Sequence, residues 1–380
     1  MQLHYISSAC YPAGDNLPGT QKKIRSQVSC LKNLGVDVIH HHPKPVFNNK
    51  YISYIYSNLT RIVDYIILRH TINENDMIYI RRERHHISYL FLLLFKRRYK
   101  VIIESQTIDR EEFLPKVFSN NGNIFQLLYV YYCYISCVLF EKMIKSSANA
   151  IVSVTSEIDE YNSDITNHQL QYLTLGNGID VMKVNVREIT SLGDSAIHVL
   201  CVAQVAKWHG IDRFIRGLHE YNAHYANSTK IVLHIVGDGS DLPHLKELTA
   251  ELNQQDNVIY HGFKSGKELD EMFDMCHIAI GSLAGFRVGL NELSSLKSRE
   301  YCARGIPFLM ASKDADFPEG FNWVHMVPAE EQPINMNTVI SFANHVMADP
   351  EHPQKMRRYA EEHLDWLAKM KVLKEFLESL

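Results

Sequence analysis

At 380 residues the chain is too long for one ordinary hydrophobic core and about the right size for two α/β domains. A formal net charge of −4, with 22% charged residues, excludes a polycation and gives no global electrostatic reason to bind nucleic acid. The seven cysteines are scattered and never in CxxC or a similar ligand spacing, which points to free thiols in a reducing, cytoplasmic compartment and away from zinc.

The N-terminus runs straight into a short apolar strand with no basic region ahead of a long apolar one, so no signal peptide is expected and the sequons at Asn58 and Asn227 are chance matches. Strand patterns follow at Leu3 to Ile6, Val36 to His40, Met77 to Ile80, Val101 to Glu104 and Ala150 to Val154, with helical patterns between them. Ile124 to Phe140 approaches the roughly 18 apolar residues of a spanning helix. Gln126, Ser136 and four tyrosines make it a buried or membrane-surface helix instead. After a polar stretch the series restarts at His198 to Val202, Ile231 to Val236, Val258 to Tyr260, Ile278 to Ile280 and Pro307 to Met310. Strand-helix alternation implies parallel sheets whose ligands lie beyond the carboxyl ends of the strands. The expected division is residues 1–182, an acceptor domain; 183–197, a linker; 198–350, a donor domain; and 351–380, a helical segment with apolar residues at Leu364, Leu367, Met370, Leu373 and Phe376.

The segment Gly289 to Pro307, GLNELSSLKSREYCARGIP, places Glu292 and Glu300 eight positions apart across a helix start. Ser294 or Ser295 can cap that helix, and Gly305 followed by Pro307 ends it. The first-turn N–H groups of Ser295, Leu296 and Lys297, with the helix dipole, suit a diphosphate. A carboxylate inside the helix can accept two hydrogen bonds from a ribose diol, and one in the preceding loop can meet sugar hydroxyls. The competing reading is an ordinary surface helix with Glu300 and Arg304 as an i,i+4 pair.

This Glu, seven residues, Glu pattern, followed by a small-residue helix and Gly-x-Pro, resembles the donor motif of retaining family 4 glycosyltransferases. Gly237-Asp238-Gly239 after a strand resembles that family's Gly-x-Gly turn, and Asn177-Gly178-Ile179-Asp180 its Asn-Gly-Val-Asp at the domain junction. Trp208 to Arg213 and Leu296 to Tyr301 resemble a bacterial surface-polysaccharide branch. Pro18-Gly19-Thr20-Gln21-Lys22-Lys23 resembles the loop after the first strand that approaches donor phosphates and acceptor. The resemblance implies the GT-B fold: two facing Rossmann-like domains with an interdomain cleft and a C-terminal helix packing back. It further implies a UDP- or GDP-linked sugar donor, with Glu300 on the ribose, Glu292 on the transferred hexose, and retained anomeric configuration. No cofactor and no metal are required, because positioned N–H donors and cations can stabilise the leaving diphosphate.

Where the family places an Arg and a Lys to clamp the diphosphate, this chain has Gln204 and His209, leaving Lys207, Arg213 or Lys297 to supply the charge. Leu293-Ser294-Ser295 replaces the family's Gly-Phe-Gly, which puts the loop geometry in question. Asp314-Ala315-Asp316 imitates a metal-holding Asp-x-Asp but reads as a loop. Gly237-x-Gly239 has Leu242 where a third glycine of a dinucleotide fingerprint would stand, which argues against a nicotinamide cofactor. His40, His41 and His42 read as a strand end and not as a ligand set.

On the acceptor side, Glu104 at a strand end and Glu112 are candidates to orient a hydroxyl of a glycan or lipid-linked glycan. Glu104 reads equally as a structural carboxylate paired with Arg110 or Arg81. Arg81, Arg82, Arg84, Lys96, Arg97, Arg98 and Lys100 surround the apolar run Ile87 to Phe95, which suits peripheral contact with an anionic membrane or a buried crossover helix with a basic end. Two further readings remain open: a sugar-nucleotide epimerase of the same fold, and a catalytically silent nucleotide-sugar binding protein.

Overall fold

The computed structural model describes residues 2–7, 19–41, 66, 68, 70–81, 99–108, 110, 124–189, 195–224 and 229–380. Glu112, the basic run 82–98, the loop 8–18, His42 and both sequons lie outside the described residues. The chain divides into two compact units, the first formed by Met1–Gly176 with Trp366–Leu380 and the second by Asn177–Asp365.

In the first unit the strands are β1 (Gln2–Ile6), β2 (Asp37–His41), β3 (Met77–Arg81), β4 (Lys100–Ser105), β5 (Ala150–Ser153) and β6 (Gln171–Thr174). They form one parallel sheet in the order β2-β1-β3-β4-β5-β6. β3 and β5 are buried along their whole length, and so is all of β4 beyond Lys100, as expected of strands covered on both faces. Helices α1 (Gly19–Asn33), α2 (Ile124–Lys145) and α3 (Ser156–Ile165) connect them. Thr155 caps α3, its side chain accepting from the Ile158 N–H. α2 is the apolar helix expected from the sequence, 22 residues long. No helix among the described residues is long and apolar enough to cross a membrane.

The second unit repeats the scheme with β7 (Ile197–Val202), β8 (Ile231–Val236), β9 (Val258–Gly262), β10 (Ile278–Ile280), β11 (Phe308–Met310) and β12 (Val324–Met326). All are parallel, in the order β12-β11-β10-β7-β8-β9. Its helices are α4 (Ile211–His224), α5 (Leu242–Glu251), α6 (Lys267–Met275), α7 (Leu296–Arg304), α8 (Met336–Met347) and α9 (His352–Tyr359). Apolar side chains fill both faces of the sheet: Val199, Phe214, Leu233 and Ile280 belong to one cluster, Leu200, Val236, Tyr301 and Phe308 to another.

Three features differ from the sequence expectation. β6 and β12 were not expected; both are edge strands, and Gln-Tyr-Leu-Thr and Val-His-Met carry no apolar run to mark them. The described part of the expected linker packs onto the second unit, where the Arg187 N–H donates to the Arg304 carbonyl at 2.9 Å and the buried guanidinium reaches the Cys276 carbonyl at 2.5 Å. The expected single terminal helix is broken at Asp365, which leaves helical geometry at φ −64°, ψ 141°. There Ile179 donates to the Leu364 carbonyl at 2.9 Å, and the Asp365 carboxylate accepts from the Val181 N–H at 3.2 Å. The last helix, α10 (Trp366–Ser379), belongs to the first unit, burying Trp366, Met370, Leu373 and Leu377. Leu364 is buried in the second unit, and Leu367 is exposed.

Candidate functional site

The strand order of the second sheet reverses at β7, with β8 and β9 on one side and β10, β11 and β12 on the other. A parallel sheet opens a ligand crevice beyond the carboxyl ends of its strands at such a reversal.

On the β8 side the loops after β7 and β8 lie against each other closely enough to demand glycine. A Cβ on Gly237, whose φ is +126°, would stand 1.9 Å from the Ala203 carbonyl oxygen, and one on Gly239 would stand 2.1 Å from that of Val205. Backbone bonds lock the approach: Val205 N–H donates to the Asp238 carbonyl at 2.8 Å, and Gly237 N–H to that of Gly262 at 2.8 Å. The exposed Asp238 accepts from the Gly239 N–H at 2.7 Å. These loops frame a pocket of about 510 Å³ lined by Val202, Gln204, Gly237, Asp238, Phe263 and Lys264 among others. Phe263 and Lys264 went unnoticed in the sequence, although they directly follow the third strand of the unit, where a parallel sheet presents its loops.

α7 starts as expected. Ser295 is the cap, its Oγ accepting from the Ser298 N–H at 3.2 Å, and Gly305 ends the helix at φ 79°. Ser294 instead holds Asn177, with its Oγ accepting from the Asn177 N–H at 2.6 Å and its carbonyl from the Asn177 side-chain amide at 2.5 Å. Leu293, Ser294 and Ser295 are absent from the positive-φ residues, so the loop needs none of the glycine found in the family pattern. The first-turn N–H groups of Leu296 and Lys297 have no intrahelical acceptor. Tyr301, given no role by the sequence beyond its place in the Leu296 to Tyr301 resemblance, is fully buried; its hydroxyl accepts from the Val202 N–H at 3.1 Å and lies 3.1 Å from the Ile280 carbonyl, fixing α7 to the ends of β7 and β10.

The expected cations separate clearly. Arg213 is buried and turned to backbone carbonyls, those of Gln332 and Pro328 at 2.9 Å each and that of Leu283, so it is a staple and not a donor-binding group. Lys207 is exposed on a short turn. His209 is buried and accepts from the Ala206 N–H through Nδ1 at 3.2 Å, leaving its proton on Nε2. Burial, and secondarily Lys297, push its pKa down to about 3, so it is neutral and adds no charge. Lys297 sits where the strand order reverses, its Nζ donating to the Gly281 carbonyl at 3.1 Å just past β10. Burial pushes its ammonium down to about 8.

The two glutamates differ in setting. Glu300 is half-buried, with one oxygen accepting from Arg304 Nε at 2.8 Å, so the i,i+4 pair is present; Arg304 also holds Asp270 at 2.6 Å. Glu292 is buried in a loop bridged to Lys313, whose carbonyl accepts from the Leu293 N–H at 2.8 Å. Asp314 and Asp316 both bind the buried guanidinium of Arg299, which occupies this Asp-x-Asp with an organic cation.

In the first unit Glu104 does not present an open carboxylate. It is buried, accepting from the Tyr79 hydroxyl at 3.0 Å and from Gln106 at 2.5 Å, with Lys23 at 3.3 Å. Burial pushes its carboxyl up, but the charges of Lys23 and Arg81 with the hydrogen bonds from Tyr79 and Gln27 outweigh this and hold it below the usual range. It is the hub of a structural network at the ends of β3 and β4, and Arg81 rather than the exposed Arg110 is its arginine partner. Gly19 opens α1.

Residues 184–319, within the second unit, match the family model described as Glycosyl transferases group 1. No curated protein sequence matches the chain. Sucrose-phosphate synthase from Thermosynechococcus elongatus is similar in structure, with TM-score 0.64 and 14% identity over 100% of this chain and 98% of that one. The apo lipopolysaccharide outer core galactosyltransferase WaaB aligns with TM-score 0.60 and 13% identity over 100% of both chains. Anabaena Alr3699/HepE, solved with UDP and glucose, aligns with TM-score 0.57 and 12% identity over 100% of both chains. The fold is that of the GT-B glycosyltransferases, with two Rossmann-like domains.

Proposed function

We propose that this protein is a retaining glycosyltransferase that moves a hexose from a UDP- or GDP-linked donor, held by the second unit, to a glycan or lipid-linked glycan acceptor in surface-polysaccharide synthesis. The observation that carries the proposal is that Lys297, in the first turn of α7, and the glycine-walled pocket both lie at the carboxyl ends of the second sheet's strands. A leaving nucleoside diphosphate develops negative charge, and a cation with oriented N–H donors stabilises it without a metal step. In this reading Lys297 takes over from the arginine and lysine that Gln204 and the neutral His209 replace. Glu300 keeps an oxygen for the ribose beside Arg304, and Glu292 faces the transferred sugar. The bound UDP and glucose of the HepE neighbour support a nucleotide-sugar donor.

The test is calorimetry with UDP, GDP, ADP and their sugar conjugates, with and without magnesium, on wild type and Glu300→Ala. Selective, magnesium-independent binding that weakens by about 1–3 kcal/mol in a folded mutant supports the proposal, as expected for lost ribose hydrogen bonds. Unchanged affinity in the mutant removes Glu300 from the site, and donor turnover without any acceptor would favour an epimerase.

A peripheral contact of the first unit with an anionic membrane is part of the same proposal. It is supported by an exposed row on α2, comprising Leu128, Tyr131, Tyr132, Val138, Leu139 and Met143.

A further inference from the structure

Of the three tryptophans, Trp366 is buried and Trp323 packs partly buried against the core of the second unit, whereas Trp208 is 45% exposed. Its backbone is nevertheless held firmly. It lies in the turn Lys207–His209, and each carbonyl of that turn is occupied from the β10 side: Lys207 by Arg287 at 2.9 Å, Trp208 by the Ala284 N–H at 3.2 Å, and His209 by the Leu283 N–H at 3.0 Å. Arg287 is in turn fixed by both oxygens of Asp212 at 2.8 Å. The following Gly210, at φ +65°, has Leu283 and Ala284 only 3.0 Å from where a Cβ would be. These clamps use main-chain atoms, so none of them requires an indole. The ring of His209 lies beside it, with centroids 5.7 Å apart.

A large exposed aromatic on a rigid turn is suited to a ligand, because a flat ring offers apolar area with little conformational entropy to lose. Its position indicates which ligand. The 510 Å³ pocket lies over the ends of β7, β8 and β9, Lys297 sits at the reversal point, and Trp208 is clamped from the loop after β10. A nucleoside diphosphate sugar with its phosphates at Lys297 and its nucleoside in the pocket therefore places the sugar on the Trp208 side. One face of a hexopyranose carries C–H groups that pack on an aromatic ring while its hydroxyls point to polar partners.

We infer that Trp208 is the stacking platform for the hexose ring of the donor; the inference rests on the donor reading above. Affinities of Trp208→Ala and Trp208→Phe for UDP and GDP, and for UDP-glucose, UDP-galactose, UDP-N-acetylglucosamine and GDP-mannose, test it by calorimetry. For the conjugate the wild type prefers, Trp208→Ala weakens binding roughly threefold to tenfold while the bare diphosphate is unaffected, and Trp208→Phe retains most of the affinity. In wild type, tryptophan emission shifts with the conjugate and not with the diphosphate, and Trp208→Phe abolishes the shift. Equal losses for conjugate and diphosphate, or no loss for either, overturn the inference while leaving the donor site standing. An emission change produced by free di- or oligosaccharide but not by the conjugate assigns Trp208 to the acceptor and overturns it as well. Failure of the wild type to bind any diphosphate removes the donor reading itself.

Discussion

Lys297 carries its charge where charge is disfavoured, and this gives opposite signs for binding and stability. Its folded pKa of about 8 lies below the ordinary lysine value, so below about pH 8 the protein keeps a charged ammonium in a desolvated place. Donor affinity is expected to be flat below pH 7 and to fall as pH rises through about 8, as the free protein loses that charge. Lys297→Met is expected to abolish this pH dependence and weaken nucleoside diphosphate binding at least tenfold, while raising stability by about 1–2 kcal/mol through the removed desolvation cost. Calorimetric titration from pH 6 to 9 with urea unfolding of both proteins checks the pair; a mutant that loses binding and stability together would make Lys297 a structural residue. The sequence already offered Lys297 beside Lys207 and Arg213. It could not choose among them, because the difference is whether nearby carbonyls, supplied by segments far along the chain, consume the cation.

At the scale of elements, a row of imidazoles crosses the second sheet. His198 Nδ1 meets His234 Nε2 at 2.8 Å, His234 Nδ1 meets His261 Nε2 at 2.9 Å, and His277 Nδ1 accepts from the His198 N–H at 3.0 Å. The neutral ring of His234, at the centre of the row, donates through one nitrogen and accepts through the other. Burial first, then His198 and His261, push its pKa down to about 4. The unfolded chain binds that proton below about 6.5 and the folded one only near 4, so the stabilisation is complete above 6.5 and is lost as pH falls through 4. The loss amounts to about 3 kcal/mol. Denaturant midpoints between pH 7.5 and 4 are expected to fall over this window, and less steeply in His234→Gln; identical slopes would place the acid sensitivity elsewhere. The exposed row on α2 has its own test: Leu128→Glu with Leu139→Glu is expected to lower cosedimentation with phosphatidylglycerol vesicles severalfold and to leave UDP binding intact. Unchanged cosedimentation would remove α2 from any membrane contact. Both ends of α7 were legible, the start to within Ser294 or Ser295, since caps act through neighbours in sequence. The edge strands β6 and β12 were not, because Gln-Tyr-Leu-Thr and Val-His-Met carry no apolar run and are defined by pairing with a neighbouring strand.

For the whole molecule, the path of the chain between units is the main tertiary decision. The last helix joins the first unit, so its apolar residues stabilise strands more than two hundred and fifty residues earlier in the sequence. Leu373→Ala is expected to cost about 2–4 kcal/mol. Hydrogen exchange is expected to show lost protection in β1 and β3 and unchanged protection in β7, β8 and β10; equal loss in both sets would mean the two units unfold as one. By itself the sequence determined two parallel α/β sheets, the interior strands, the capped helix α7 and the glycine turn, since all of these are set by local periodicity, caps and close backbone turns. Only the tertiary structure decided that Arg213 and Glu104 are buried in structural networks, that Lys297 holds the switch point, and that the terminal segment divides at Asp365. Those outcomes depend on which distant carbonyls, carboxylates and apolar faces the folded sheets bring within reach, and local pattern carries no record of that.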